Sequence, residues 1–142
     1  MFENSRMMQT NYLLERGLDV ESLRRNVIAN NIANVDVPHF KRSEVNFESE
    51  LRRVIRERHD EEGRFPARLT ERRHIPFHVE RDLREVSPRV RLDYDTTYRN
   101  DGSNVDIEKE MVDAHKNQMR YGAYVTALNQ NYKMLKIVMR PA

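Results

Sequence analysis

The side chains that could do chemistry are few, and their spacing argues against a reaction centre. His74 and His78 lie four residues apart, a spacing that can ligate a metal ion when both side chains lie on one helix. Pro76 lies between them and disfavours a helix there. No cysteine or nearby aspartate completes a ligand set, so we predict no metal site.

A second acidic group resembles a calcium-binding loop only loosely. Asp93 and Asp95 precede Asp101-Gly102, but the regular alternation of ligands and the glycine at the sixth position are missing. These acids are therefore interpreted as solvated side chains. The chain has no cysteine, nucleophile elbow, phosphate loop or zinc-protease helix. We predict no catalytic residues, no cofactor and no small-molecule substrate, and hence a protein that is not an enzyme.

The composition narrows the class of protein further. The 142 residues are 38% hydrophobic and 34% charged, which predicts one domain with a thin core. Its 25 Lys and Arg nearly balance 23 Asp and Glu, so the unbalanced basic stripe that nucleic acid requires is absent. No apolar run approaches the ~20 residues that span a bilayer, and the first residues show no cleaved secretory signal.

The N-terminal segment has the apolar periodicity of a long helix. Between Met7 and Val35 one face collects Leu14, Leu18 and Ile28, and a flanking apolar stripe widens it. Gly17 interrupts the pattern, which predicts a local bend. The asparagines that follow Ile28 tolerate helix-end conformations, and a proline stops the helix beyond them.

The centre of the chain is irregular in pattern. An amphipathic stretch from Ser43 to Arg58 predicts a short helix, with Ser43 or Asn46 as its cap. Beyond it, Ile75–Glu80 and Arg89–Tyr94 alternate like strands, which predicts a small antiparallel hairpin. Isolated ribbons are marginal in water, so we expect the centre to be weakly ordered or disordered in the free protein.

The C-terminal segment predicts a coiled-coil helix. Asp101-Gly102-Ser103-Asn104 predicts a turn, and Ser103 with Asp106 resembles a capping box. Nine heptad positions then form a seam in which eight are apolar or aromatic. The seam comprises Met111, Ala114, Gln118, Tyr121, Val125, Leu128, Tyr132, Leu135 and Met139. It fits an intramolecular helical hairpin and contacts with neighbouring chains, and both can hold together.

The predicted fold class is therefore mainly α. Long N- and C-terminal helices pack as a coiled-coil-like pair around an irregular central segment, with a short β-hairpin as one arrangement of that segment. We divide the chain into residues 1–40, with the N-terminal helix and its stop motif; 41–102, the charged centre; and 103–142, the coiled-coil helix.

The helix-stop motif carries a family resemblance. Asn31-Ile32-Ala33-Asn34, followed by Pro38, Phe40 and Lys41, resembles the signature of the rod and hook family of bacterial flagellar axial proteins. Val37, His39 and Phe40 replace the threonine, glycine and tyrosine of its usual form. The segment 101–111 and its continuation to Tyr121 are similar to the family's matching helix entry, most nearly that of a proximal rod subunit.

The resemblance implies a structural subunit of the basal-body proximal rod, part of the drive shaft that carries torque to hook and filament. It implies export without a cleaved signal peptide to the periplasmic rod, self-association, and contacts with other rod proteins, the ring-to-rod adaptor and the export gate. It also implies assembly through the terminal helices, so the signature residues and the seam are the predicted assembly sites. The alternative is a soluble cytoplasmic helical adaptor or export chaperone that acts as a dimer.

Overall fold

The structure of the protein, a computed structural model, describes residues 6–61, 70–71, 73–74 and 82–139. The predicted strand Ile75–Glu80 lies outside these residues, as does His78 of the histidine pair. The elements are α1 (Arg6–Ala33), β1 (Ser43–Asn46), α2 (Glu48–Glu61), a 3₁₀ helix (Leu83–Glu85), β2 (Arg89–Leu92) and α3 (Ile107–Val138).

The chain forms two compact units. The first comprises Met1–Val45 and Val90–Ala142, and the second comprises Asn46–Arg89. Residues 90–102 therefore group with the terminal helices, whereas the sequence pattern assigns them to the centre. In the part of the chain that is described, no helix is long and apolar enough to cross a membrane.

Two long helices, α1 and α3, pack together in the first unit, which confirms the predicted mainly α fold. Side-chain hydrogen bonds join the start of α1 to the end of α3 and the end of α1 to the start of α3, so the helices are antiparallel. Few apolar side chains are fully buried between them: Val20 and Ile28 of α1 are the examples among the described residues of the pair. The predicted thin core is thus a helix interface that also buries many polar groups.

The start of α3 differs from the predicted capping box. Asp106 is the N-cap, and its Oδ1 accepts hydrogen bonds from the backbone N–H groups of Glu108 at 3.0 Å and Lys109 at 3.3 Å. Ser103 lies three residues earlier and is fully buried. The capping-box prediction was wrong because the aspartate satisfies the first free N–H groups of the helix by itself.

The two strands also differ in part from the prediction. β2 confirms the predicted strand from Arg89, but its antiparallel partner is β1. The predicted helix from Ser43 was therefore wrong at its start, since Ser43–Asn46 is extended and α2 begins at Glu48. The backbone of Ser43 bonds to a side chain of α1, and this contact holds it in the extended conformation.

The second unit has a small core of its own. Phe47, directly before α2, and Val54 within α2 are buried, and Val86 is buried after the 3₁₀ helix. Beside this apolar face α2 carries charged side chains, where Arg53 pairs with Glu50 at 2.7 Å and with Glu57 at 3.7 Å. This alternation gives α2 the amphipathic pattern that its sequence predicts.

Candidate assembly junction and helix-pair interface

The signature residues lie where α1 ends. Asn31 is buried, Ile32 and Asn34 are half-buried, and Ala33 is exposed. The Asn34 side chain donates to the carbonyl of Asn30 at 2.8 Å, and the same carbonyl accepts from the backbone N–H of Asn34 at 3.1 Å. The asparagines thus cap the helix end through side-chain hydrogen bonds, whereas the left-handed conformation expected of an asparagine occurs at His39 among the described residues.

The loop after the helix docks on the turn that precedes α3. The backbone N–H of His39 donates to the carbonyl of Asp101 at 3.2 Å, and Lys41 Nζ donates to the carbonyl of Gly102 at 3.0 Å. His39 has φ of 60°, a left-handed conformation that a non-glycine residue adopts at a cost. Pro38 is exposed and Phe40 is half-buried. The two separated motifs that carry the family resemblance therefore contact each other.

Asn31 acts as a substitute for a backbone partner. Its Nδ2 donates to the carbonyl of Ser43 at 2.9 Å, and its Oδ1 accepts from the N–H of Ser43 at 3.0 Å. The same Nδ2 lies 3.3 Å from Oε2 of Glu110. One side chain of α1 thereby holds the start of β1 and the first turns of α3.

We define the junction by five residues: Asn31, Arg42, Ser43, Asn104 and Glu110. Arg42 lies at its centre. The guanidinium of Arg42 donates to Glu110, whose side chain is 0% exposed, and also reaches the more exposed Glu44. Its backbone N–H donates to Oδ1 of Asn104 at 2.6 Å. A buried carboxylate requires such partners, because an unpaired charge in the interior is costly.

Asn104, like Asn31, uses its side chain to bond to the backbone of another segment. Its Nδ2 donates to the carbonyl of Asp93 at 2.7 Å, while the N–H of Asp93 donates to the carbonyl of Arg42 at 2.8 Å. The side chain of Thr96 donates a hydrogen bond to the Asp93 carboxylate, which holds the pKa of Asp93 below its ordinary value. Asp93, which the sequence analysis interprets as a solvated acid, therefore stabilises a turn.

Further along the helices, polar pairs cross the interface. Asn117 donates to both the backbone carbonyl and the carboxylate of Glu21, which is 2% exposed. Arg24 lies 2.6 Å from the same carboxylate. Near the far end, Asn131 donates to Oδ1 of Asn11 at 2.8 Å.

Gly17 marks a close approach of the two helices. A Cβ atom built on Gly17 would lie 3.1 Å from the Tyr124 ring, tighter than ordinary van der Waals contact. The prediction of a bend at this glycine stays a prediction. What the structure adds is a reason for the residue type, since the ring packs on bare backbone.

The predicted seam residues fall into two groups. Val125, Leu128 and Leu135 are half-buried. Met111 is 59% exposed and Met139 is 77% exposed, and Tyr121 and Tyr132 are exposed too. The residues that face α1 recur instead at Glu110, Asn117, Tyr124 and Asn131, one position earlier than Met111, Gln118, Val125 and Tyr132.

Sequence reasoning missed Arg42, Asn104, Glu110, Asn117 and Glu21. The heptad frame was chosen for its apolar content, whereas the interface buries polar side chains at several of its positions. A signal was present, since Glu110 and Asn117 lie seven residues apart and Asn131 lies two heptads further on. Arg42 directly follows Lys41 of the signature.

Two solvent-facing features complete the helix pair. A groove of about 400 Å³ lies beside the interface, lined in part by Ile28, Ala114 and Tyr121. The hydroxyl of Tyr132 donates to Glu15 at 2.9 Å, and this bond raises the pKa of Tyr132. Across the described ranges, no group of three His, Asp or Glu side chains could hold a metal ion.

Comparisons with known proteins agree with this geometry. Residues 12–41, which contain most of α1 and the signature, match the family model described as flagella basal body rod protein. The chain is 40% identical over 128 residues to the flagellar basal body rod protein FlgB of Borrelia hermsii, covering 90% of this chain and 93% of the relative. It is 35% identical over 125 residues to that of Borreliella burgdorferi, covering 88% and 91%. It is 33% identical over 126 residues to that of Bacillus subtilis, covering 89% of each.

A helix pair built from both chain ends, closed by this signature, defines a structural protein of the flagellar axis. The chain belongs to the FlgB family of flagellar basal body rod proteins. It is a structural subunit of the flagellar basal-body rod, and the comparisons give no support to the adaptor or chaperone alternative.

Proposed function

We propose that the chain joins the rod through the helix pair formed by α1 and α3, and that it does so without any enzymatic activity. The observation that carries this proposal is the exposed apolar surface of α3, on which Met111 and Met119 are each more than half exposed. Single exposed apolar residues are ordinary on protein surfaces. A helix that presents several of them beside a closed polar interface favours contacts with neighbouring chains.

The two groups of seam residues have different roles in this proposal. Val125, Leu128 and Leu135 hold the chain's own helix pair, while Met111, Tyr121 and Met139 contact neighbouring subunits. Tyr132 does both, since its hydroxyl bonds to Glu15 of the same chain. Repeated contacts between unlike surfaces that do not close a ring build a helical assembly. The signature residues, from Asn31 to Lys41, support assembly indirectly because they join α1 to the start of α3.

The neighbours in this proposal are copies of the chain, other rod proteins, the ring-to-rod adaptor and the export gate. The chain reaches the periplasmic rod through the flagellar export channel with its N-terminus uncleaved. Several relatives carry the name flagellar basal body rod protein, which supports a place in the rod. Mass spectrometry of the subunit in isolated basal bodies tests the export route, since a mass smaller than that of the cytoplasmic form contradicts it.

Charge substitutions separate assembly from folding. Met111→Asp should leave the circular dichroism melt close to that of the wild type and abolish incorporation into basal bodies, because an exposed position tolerates a charge that an interface does not. Leu128→Asp should lose both, since it places an unpaired charge at a half-buried position of the helix interface. Gln130→Asp, at an exposed polar position of α3, is the control and should retain both.

The readouts are motility and basal-body incorporation in a flagellated host that lacks its own subunit. Normal incorporation and motility of Met111→Asp would show that this surface does not meet a neighbour. Loss of both in Gln130→Asp would show that charge anywhere on α3 is harmful, and the specific role of the exposed seam would then fail.

A further inference from the structure

Three polar contacts cross the interface between α1 and α3 at three separate levels. We call them the register pairs. They are Asn11 with Asn131, Glu21 with Asn117, and Asn31 with Glu110. Polar side chains in a helix interface reduce stability relative to apolar ones, but they discriminate between alternative pairings.

We infer that the register pairs are specificity-determining residues, which make α1 choose the α3 of its own chain in one antiparallel register. They disfavour slipped registers and pairing with a terminal helix of another chain. This role is separate from the proposed contacts of the exposed surface, and it does not depend on which neighbours the subunit meets.

The burial of the two glutamates makes the pairs selective. Glu110 is fully buried and is held by the amide of Asn31 and by Arg42. Glu21 is nearly fully buried and is held by the amide of Asn117 and by Arg24 of its own helix, with Arg120 of α3 at 4.0 Å. An interior carboxylate that loses such partners carries a large desolvation penalty. Any pairing that leaves either of them opposite an unsuitable side chain is therefore penalised.

A slip of one heptad gives such a penalty in both directions. The residues one heptad from Asn117 on the same face of α3 are Glu110 and Tyr124. In one direction Glu21 would face Glu110, which brings two buried carboxylates together. In the other direction Glu21 would face Tyr124, without the amide that now donates to both its carboxylate and its backbone carbonyl.

The packing of Gly17 against Tyr124 selects the same register by shape. The ring atoms lie 3.1 to 3.5 Å from where a Cβ of residue 17 would be, so a larger residue at that position would collide with them. After a slip of one heptad, Asn117 or Asn131 would lie opposite Gly17 in place of the ring. A void would then lie beside Gly17, and the Tyr124 ring would lie against a larger side chain elsewhere on α1.

The register is measurable because the chain has no cysteine of its own. Asn26→Cys on α1 and Met119→Cys on α3 introduce two exposed sites for spin labels, and pulsed electron paramagnetic resonance gives the distance between them. A slip of one heptad moves α3 by roughly 10 Å along α1. The wild-type pairs should give one narrow distance distribution.

The decisive variant replaces two register pairs by apolar residues: Asn11→Leu with Asn131→Leu, and Glu21→Leu with Asn117→Leu. We expect retained helical circular dichroism together with a broadened distribution or a second distance, produced by an axial slip of roughly 10 Å. Mixtures of singly labelled variant chains should also show distances between chains, which mixtures of wild-type chains should lack. The matched control, Gln118→Leu with Asn129→Leu, makes apolar substitutions at exposed positions of α3 and should keep the narrow distribution.

A variant that keeps one narrow distance and shows no distances between chains overturns the inference. Failure of the variant to form helices also counts against it, because apolar replacements are expected to preserve the helix pair. Glu21→Gln supplies an independent check: it removes the charge but keeps an amide to bond with Asn117, so it should retain the single register. Several registers in Glu21→Gln would count against the inference, because a buried amide opposite an unsuitable side chain should still be penalised.

Discussion

Replacing Arg42 by methionine tests the energetic importance of the junction. Arg42→Met removes the guanidinium that neutralises Glu110, and the carboxylate then keeps only the amide of Asn31. The side chains of Arg42 and Glu110 are 9% and 0% exposed. Breaking such a buried pair from one side costs about 3–5 kcal/mol, against a total stability of about 5–15 kcal/mol for an ordinary domain.

The assay is urea denaturation followed by far-ultraviolet circular dichroism, with the free energy of unfolding extrapolated to water. Arg53→Met is the matched control, because Arg53 is 49% exposed and its two ion pairs lie on the surface of α2. Removing these exposed pairs should cost about 1 kcal/mol or less. The double variant Arg42→Met/Glu110→Leu should regain much of the loss, since it removes the unpaired charge together with its partner.

The reasoning fails if Arg42→Met costs no more than Arg53→Met. It also fails if the double variant is less stable than Arg42→Met alone. Either result would mean that Glu110 is not in the buried, partner-dependent environment on which this account of the junction depends.

Four further substitutions test local features. His39→Gly should raise the free energy of unfolding by about 1 kcal/mol, because glycine adopts the left-handed backbone without the cost that histidine bears; unchanged stability in urea would contradict this. Gly122→Ala should stabilise α3 by about 1 kcal/mol, since nothing lies within 4 Å of the added methyl group. Gly17→Ala should gain less or lose stability, because its methyl group would meet the Tyr124 ring. Equal shifts in the melting temperatures of the two variants would contradict the close approach at Gly17. Asp93 has a lowered pKa, so its contribution to stability is present above pH 3.8 and is lost as pH falls through the folded-state value. Thr96→Val should move that pKa back towards 3.8, and an NMR titration with no such movement would contradict the assigned cause.

The two terminal helices could be predicted from sequence because their signals are local. Apolar periodicity from Met7 onwards and the asparagines before Pro38 determine where α1 lies and ends to within a few residues. The turn at residues 101–104 and Asp106 likewise locate the start of α3 to within a few residues, although the capping box with Ser103 was wrong. In each case the residues that form the signal are neighbours along the chain, so no knowledge of distant contacts is needed.

The partner of β2 could not be predicted in the same way. Strand pairing joins residues that are distant in sequence, and the alternation of Arg89–Tyr94 does not identify which extended segment lies beside it. β1 is extended because Asn31 and Asn104 bond to the backbone of Ser43 and Arg42. Those bonds exist only once α1 and the turn before α3 are in place.

The pairing of the two helices was predicted from the sequence, but several residues buried in their interface were not. Apolar content favoured the frame that contains Met111 and Tyr132, whereas Glu110 and Asn117 are the residues that are buried. Sequence patterns treat glutamate and asparagine as surface residues because most of them are exposed. Their burial here depends on partners in α1 and at Arg42, which a pattern within α3 cannot reveal.

The central claim is that the two ends of this chain pair with each other and that the resulting helix pair is the part of the subunit that builds the rod. The most direct measurement is a density map of isolated basal bodies in which α1 and α3 can be traced. The account predicts antiparallel helices from the same chain, with Gly17 packed against Tyr124 and with Met111 at a contact between subunits. Helices of one chain that lie apart, or a pair whose exposed α3 surface meets no other subunit, would contradict it.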